Sequence, residues 1–148
     1  MMRQTDISKE AFQRARDVHG AKLVIFFGEE MPVILRDDRP DIPEPGMFDF
    51  PGGGREAGES AADCVLRETE EELSLRLSAA DLHYGRLYHD HMGREVWFFA
   101  AHLGAERRAE IALGEEGQFW QMMRIDDYLS HPRAIARLQS RLAEYLAG

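Results

Sequence analysis

Residues 53–75 read Gly53-Gly54-Arg55-Glu56-Ala57-Gly58-Glu59-Ser60-Ala61-Ala62-Asp63-Cys64-Val65-Leu66-Arg67-Glu68-Thr69-Glu70-Glu71-Glu72-Leu73-Ser74-Leu75, and this stretch decides the fold. Ala62, Val65, Leu66, Thr69 and Leu73 fall at i, i+3, i+4, i+7 and i+11, the spacing of one buried helical stripe. Ser60 with Asp63 has the form of a capping box with a shortened acid, which starts the helix just after Glu59. Glu68, Glu71 and Glu72, at i, i+3 and i+4, share a second face, and Glu70 points away toward solvent. Like charges so spaced destabilise an isolated helix. They are, however, what Mg²⁺ or Mn²⁺ requires: hard oxygen ligands on a rigid support. The plain alternative is a solvated acidic face.

The wider spacing decides between the two. Gly53 is followed after five residues by Glu59, after seven more by Arg67-Glu68, and then by Glu71-Glu72. This pattern resembles the Nudix box, all six of whose required residues are present. Given this composition, a chance match is about one in 10⁴. Phe50-Pro51-Gly52-Gly53 is similar to the usual entry to that box. Two positions depart from it: Thr69 replaces a bulky aliphatic, and Ser74 replaces a closing glycine where a left-handed residue is favoured.

The resemblance implies an α/β fold, a Nudix-type α/β/α sandwich with a mixed sheet and a catalytic loop-helix-loop. It also implies roles. Glu68, Glu71 and Glu72 would ligate Mg²⁺ or Mn²⁺ with the carbonyl of Gly52, Arg67 would orient the carboxylates, Glu59 would brace Arg67, and Gly53 would support the loop. Glu116, ahead of Gly117-Gln118 and a Trp-containing strand, is similar to the loop glutamate that helps bind metal or activate water in MutT-like members. The implied reaction is Mg²⁺-dependent hydrolysis of a nucleoside diphosphate linked to another group, with an unmodified or oxidised nucleoside triphosphate among the substrates. Two other readings compete with it: a silent Nudix domain that binds a nucleotide or protein partner, and an acidic structural domain outside the family. The base, Glu116 or a box glutamate, stays open. So does the oligomeric state, a homodimer being one option because many members pair.

The rest of the chain agrees. Its 148 residues suit one domain, 1–148, with 44% hydrophobic and 30% charged residues. The net charge of −9 argues against nucleic-acid polymers and anionic membranes as partners and for a small nucleotide arriving with its cation. Residues 53–75 hold seven acids and two arginines, more than half of that excess. All basic residues except Lys9 and Lys22 are arginines. The single cysteine, Cys64, needs no oxidising compartment, and neither an apolar leader nor a spanning stretch is visible, so a soluble cytoplasmic protein is expected.

Outward from the central helix, the periodicity predicts a helix over Ser8–His19 stopped by Gly20. A hairpin follows from Lys22–Phe27 and Pro32–Arg36 around Gly28-Glu29-Glu30, and then a Pro/Gly-rich loop around a short strand at Met47–Phe50. Strands are predicted at Leu82–His89, Arg94–His102 and Phe119–Ile125, and a last helix at Pro132–Ala147 with Pro132 in its first position. Phe48 and Asp49, just before the box, are candidates for a specificity pocket. His89 and His91 are candidate substrate contacts at a turn. Trp97 and Trp120 are either a base-stacking platform or core, core packing being favoured. Arg133, Arg137 and Arg141 form a stripe read as a solvated face. Markers for ADP-ribose or dinucleoside polyphosphate subtypes are missing around Asp90–Gly93.

Overall fold

The structure, a computed structural model, describes residues 18–148. In chain order its strands and α-helices are β1 (Val18–Phe26), β2 (Glu30–Leu35), β3 (Phe48–Asp49), β4 (Gly52–Gly54), α1 (Ala61–Leu73), β5 (Tyr84–His89), β6 (Glu95–His102), β7 (Phe119–Arg124), α2 (Ile125–Ser130) and α3 (Ala136–Leu146). Two short 3₁₀ turns, Ala79–Asp81 and Ala105–Glu110, add to these. One sheet has the order β4-β1-β6-β5 and the other β3-β2-β7. β1 runs parallel to β6 and antiparallel to β4, which makes the first sheet mixed.

β1 and β6 are apolar on both faces because each face meets a different layer. Leu23, Ile25, Trp97, Phe99 and Ala101 pack with Val65 and Leu73 of α1. Val24, Phe26, Phe98 and Ala100 pack with Val33 and Leu35 of β2, Tyr128 of α2, and Leu138 and Leu142 of α3. The result is the expected α/β sandwich with helices on either side.

This layering also explains where the sequence prediction fails. The expected hairpin closes only at Phe27 and Glu30. Beyond that bridge β2 leaves β1 to pair with β3 and β7, because β1 already has β4 and β6 as neighbours. Of the helix expected over Ser8–His19, residues 8–17 lie outside the described residues, whereas Val18–Gly20 open β1 and are no helix end. The last helix begins at Ala136, not at Pro132. Residues 133–134 are drawn into extended pairing with β3, where Arg133 C=O accepts from Phe48 N–H at 2.7 Å and Ala134 bridges Phe48. The preceding α2 was not foreseen; it ends β7 at Arg124, one residue early. β5 starts at Tyr84, because Ala79–Asp81 forms a 3₁₀ turn before it.

The central helix is as read. Ser60 is its N-cap, the Ser60 hydroxyl accepts from Asp63 N–H, and the Asp63 carboxylate accepts from Ser60 N–H. Buried Thr69 donates its hydroxyl proton to Val65 C=O at 2.7 Å and fills its place in the stripe. Ser74 adopts the left-handed conformation (φ 62°) that closes the helix, and its hydroxyl donates to Ala112 C=O. Ser60→Ala removes the buried cap and should cost about 1 kcal/mol of stability. Denaturant unfolding should show this as a lower midpoint at unchanged slope.

Candidate functional site

Packing α1 against β1 and β4 brings the glycine strand beneath the acidic face of the helix. Gly52 pairs with Lys22 across the β1–β4 ladder at φ 141°, where a Cβ would lie 2.1 Å from Ala21 C=O, so only glycine fits. A Cβ on Gly53 would come within 2.8 Å of the Glu68 carboxylate. These contacts put the Glu68 and Glu72 carboxylates directly against backbone. Glu72 Oε1 accepts from Gly52 N–H at 2.8 Å.

Arg67 ties this face together. Its Nε and Nη2 donate to the two Glu59 oxygens at 2.7 and 3.0 Å, its Nη1 to Glu68 at 2.9 Å and Glu71 at 3.2 Å, and Nη2 also to Gly54 C=O at 3.1 Å. The hydrogen bonds from Arg67 hold the Glu59 carboxyl below its ordinary range. The same pairing raises the Arg67 guanidinium. Glu70 turns away, exposed, to meet Arg76.

Burial pushes the Glu72 carboxyl up to about 8, and it does so against the attraction of the Lys22 ammonium and the Gly52 N–H. Nearby Asp49 is buried and accepts through Oδ2 from Lys22 Nζ at 2.8 Å and Arg36 Nη1 at 3.0 Å. Its Oδ1, also buried, has no hydrogen-bond partner among the described residues. Lys22 Nζ further donates to Phe50 C=O and, at 3.2 Å, to Gly52 C=O. Lys22 and Arg36 were not picked out as site residues from the sequence. The available signal was a lone lysine inside an apolar strand of an arginine-rich chain.

The loop bearing Glu116 docks on the C-terminal end of α1, where Gly114 N–H donates to Glu72 C=O. Gly117 N–H then donates to Asp37 and Gln118 Nε2 to Arg36 C=O, which ties the loop to the end of β2, with Glu116 itself exposed. Phe48 is buried in the second core. Trp97 is buried and stacked on Phe99 at 5.8 Å, and half-buried Trp120 packs on the first core. His89 and His91 are exposed at the β5–β6 turn, on the opposite edge of the sheet from β4. There Asp90, held down to about 2 by hydrogen bonds from the Arg94 and Met92 backbone, closes the turn.

The arginine stripe of α3 and its lead-in is a solvated face at Arg133 and Arg137, both exposed though hydrogen-bonded, and departs from that reading at Arg141, which is buried. Arg133 donates to Gly46 C=O, Arg137 pairs with Glu44, and buried Arg141 lies with its guanidinium 4.4 Å from the Tyr88 ring centroid.

Among the described residues no three His, Cys, Asp or Glu side chains converge closely enough to cage an ion unaided. Arg67 and Gly52 hold the acids apart in a fixed frame. A glycine strand under an acidic helix in a mixed α/β sandwich defines the class of fold, and the comparisons place it. Residues 18–146 match the family described as the NUDIX domain, and the chain belongs to that family.

An uncharacterised Nudix hydrolase of Pseudomonas aeruginosa is 37% identical over 78 residues, 51% of this chain and 46% of that protein, so the match spans less than half of the relative's length. An Ap4A hydrolase of C. elegans, solved as a binary complex, superposes with a TM-score of 0.67 at 23% identity over 86% of this chain and 96% of that one. A bifunctional NMN adenylyltransferase/ADP ribose pyrophosphatase of Francisella tularensis, complexed with AMP and a Mn ion, superposes at 0.72 with 14% identity over 90% of this chain and 42% of that one. At these identities both structures speak for the fold. No helix among the described residues is long and apolar enough to cross a membrane.

Two outcomes follow from the site's packing. Arg67→Lys keeps the charge but loses the paired donors to Glu59, and thermal or denaturant unfolding should show a loss of about 1–3 kcal/mol; the exposed Glu71 contact contributes little of it. Cys64 is fully buried and desolvation pushes its thiol up to about 12. Native protein at pH 8 should therefore resist iodoacetamide, and unfolded protein should take up one equivalent.

Proposed function

We propose that this chain is a Mg²⁺-dependent pyrophosphohydrolase that cleaves a nucleoside diphosphate linked to another group, a nucleoside triphosphate first among the candidates. One arrangement carries the reading: Arg67 joins Glu59, Glu68, Glu71 and Gly54, and Glu72 is hydrogen-bonded to Gly52 N–H. Helix and glycine strand thereby form one rigid frame edged with hard oxygens. Membership of the NUDIX family supports the same chemistry. So does likeness in fold to proteins named as an Ap4A hydrolase and an ADP ribose pyrophosphatase.

The donor set suits Mg²⁺ or Mn²⁺. Glu68, Glu71 and Glu72 offer carboxylate oxygens, and Gly52 C=O already faces a cation, the Lys22 ammonium. Bound there, a divalent cation would offset the charge of a diphosphate bridge and lower the pKa of an attacking water. The protein's own part is positioning. Arg67 fixes the spread of the carboxylates, and Gly52 N–H orients Glu72 through Oε1. Glu116 stands exposed on a loop anchored to Glu72 C=O, a place from which its carboxylate can accept a proton from water. Asp49 lies close enough to Glu72 to repel its charge, and the net negative frame disfavours polyanions that arrive without a cation.

Phosphate or pyrophosphate release from a panel of nucleoside triphosphates, dinucleoside polyphosphates and nucleotide sugars, with and without Mg²⁺, tests this directly. Turnover only with the ion is expected. Tight nucleotide binding with no turnover of any compound would instead identify a silent binding domain. Partners one step removed from a metal are worth roughly 10–100-fold, so Glu71→Gln and Glu72→Gln should each lower kcat by about 100-fold or more. Their circular dichroism should match the parent, and wild-type rates in both variants would overturn the site.

A further inference from the structure

Three elements far from the carboxylate frame meet at one oxygen. Tyr145, in the last turn of α3, places its Oη 2.7 Å from His83 Nε2 and 2.8 Å from His102 Nε2. His83 precedes β5 and His102 ends β6, and the two imidazole centroids lie 4.8 Å apart. The rings are held by aromatic packing. Phe26 stacks on His102 at 4.7 Å and on Tyr145 at 5.5 Å, and Tyr84 meets Tyr145 edge-on at 4.6 Å. Both histidines are exposed, and an open cleft lined by Tyr84, Tyr145, Leu146 and Gly148 adjoins them.

A hydroxyl has one proton, so Tyr145 can donate to one imidazole while it accepts from the other. Two Nε2 atoms are thus already aimed at a single point, from backbone positions fixed by a sheet and a helix. That is the pre-organisation a two-histidine metal site requires.

We propose that His83, His102 and Tyr145 form a binding site for a transition-metal dication of the zinc class. Imidazole nitrogens suit Zn²⁺, Ni²⁺ and Cu²⁺, whereas the oxygen set around Glu72 suits Mg²⁺, so the two sites sort ions by ligand type. Around an ion with Zn–N bonds of ~2.0–2.1 Å the ligand atoms stand further apart than the present contacts to Oη, so the exposed side chains spread by small rotations to admit the ion. The ring that carries its proton on Nε2 shifts it to Nδ1. If Oη ligates as well, the phenol proton leaves to solvent. Water fills the remaining positions on the open side. Because the ligands come from the approach to β5, the end of β6 and α3, the bound ion staples the C-terminal helix to the first sheet. The site shares no residue with the proposed catalytic frame and stands or falls independently of it.

Calorimetric titration of the full chain with ZnCl₂, with Mg²⁺ in excess to occupy the carboxylates, tests the assignment. One equivalent is expected in the wild type, bound at least tenfold more weakly by His83→Gln and by His102→Gln and equally well by His91→Gln. Zinc should raise the Tm of the wild type and of neither weakened variant. With Cu²⁺, electron paramagnetic resonance should resolve two coupled nitrogens in the wild type and one in each variant. No uptake by the wild type, equal affinity in all variants, or a loss confined to one of the two histidines would overturn the proposal. Melting of the metal-free variants near the wild-type temperature shows that the loss is not one of folding.

Discussion

The Arg67 guanidinium supplies the interaction on which the candidate site depends. Four elements of charge and backbone converge on it: both oxygens of Glu59, one carboxylate a residue along the helix, another a turn along, and the carbonyl that ends β4. A planar fork can serve them together because its donors point in fixed, different directions. Without it, Glu59, Glu68 and Glu71 would repel one another across a small space, and the loop of residues 55–60 would be anchored on the helix only by the cap at Ser60. The other end of the frame relies on a neutral donor, Gly52 N–H, and on a backbone conformation that only glycine adopts comfortably.

Both anchors require β1 in place. The strand carries the ladder partners of β4 on one edge and of β6 on the other, and its two faces close both halves of the core. Lys22 is half-buried within this apolar strand because its ammonium finds Asp49 and the carbonyls of Phe50 and Gly52 at the end of its stem. A half-buried cation with that many oxygen partners is well satisfied. It also draws together segments that the sequence separates by about thirty residues, which is why it could not be assigned to the site beforehand.

Local chemistry explains what was readable. The capping box at Ser60, the stripe through Thr69, the left-handed end at Ser74 and the pairing of Glu59 with Arg67 all depend on neighbours within about a dozen residues, and each is visible as a spacing. Most strands are visible too, as β-branched and aromatic runs, whereas β4, three glycines within the expected loop, is not. Their pairing is not, because β1 and β2 read as a hairpin until one knows that β1 is buried on both sides. Likewise Pro132 is a good first helical residue on paper, and only tertiary pairing of residues 133–134 with β3 takes it out of α3. The convergence of His83 with His102 was invisible for the same reason, whereas His89 and His91, two positions apart in sequence, end on an exposed turn.

The distribution of charge sharpens the meaning of the acidity. More than half of the net −9 falls within residues 53–75, yet the fold sets Arg67 among four of those acids, Glu56, Glu59, Glu68 and Glu71, and brings Lys22 and Arg36 to Asp49 beside them. Glu72, like Asp63, has no direct cationic partner among the described residues; it is half-buried and faces a neutral N–H, and burial there favours its protonated form. A charge placed so deep and so close to Asp49 is costly in the free protein and becomes favourable only when positive charge arrives from outside. On the proposed function, the stretch that repels a bare phosphate would gain affinity for one that brings its own counter-ion, and the selectivity would reside in the position of one carboxylate more than in the total charge.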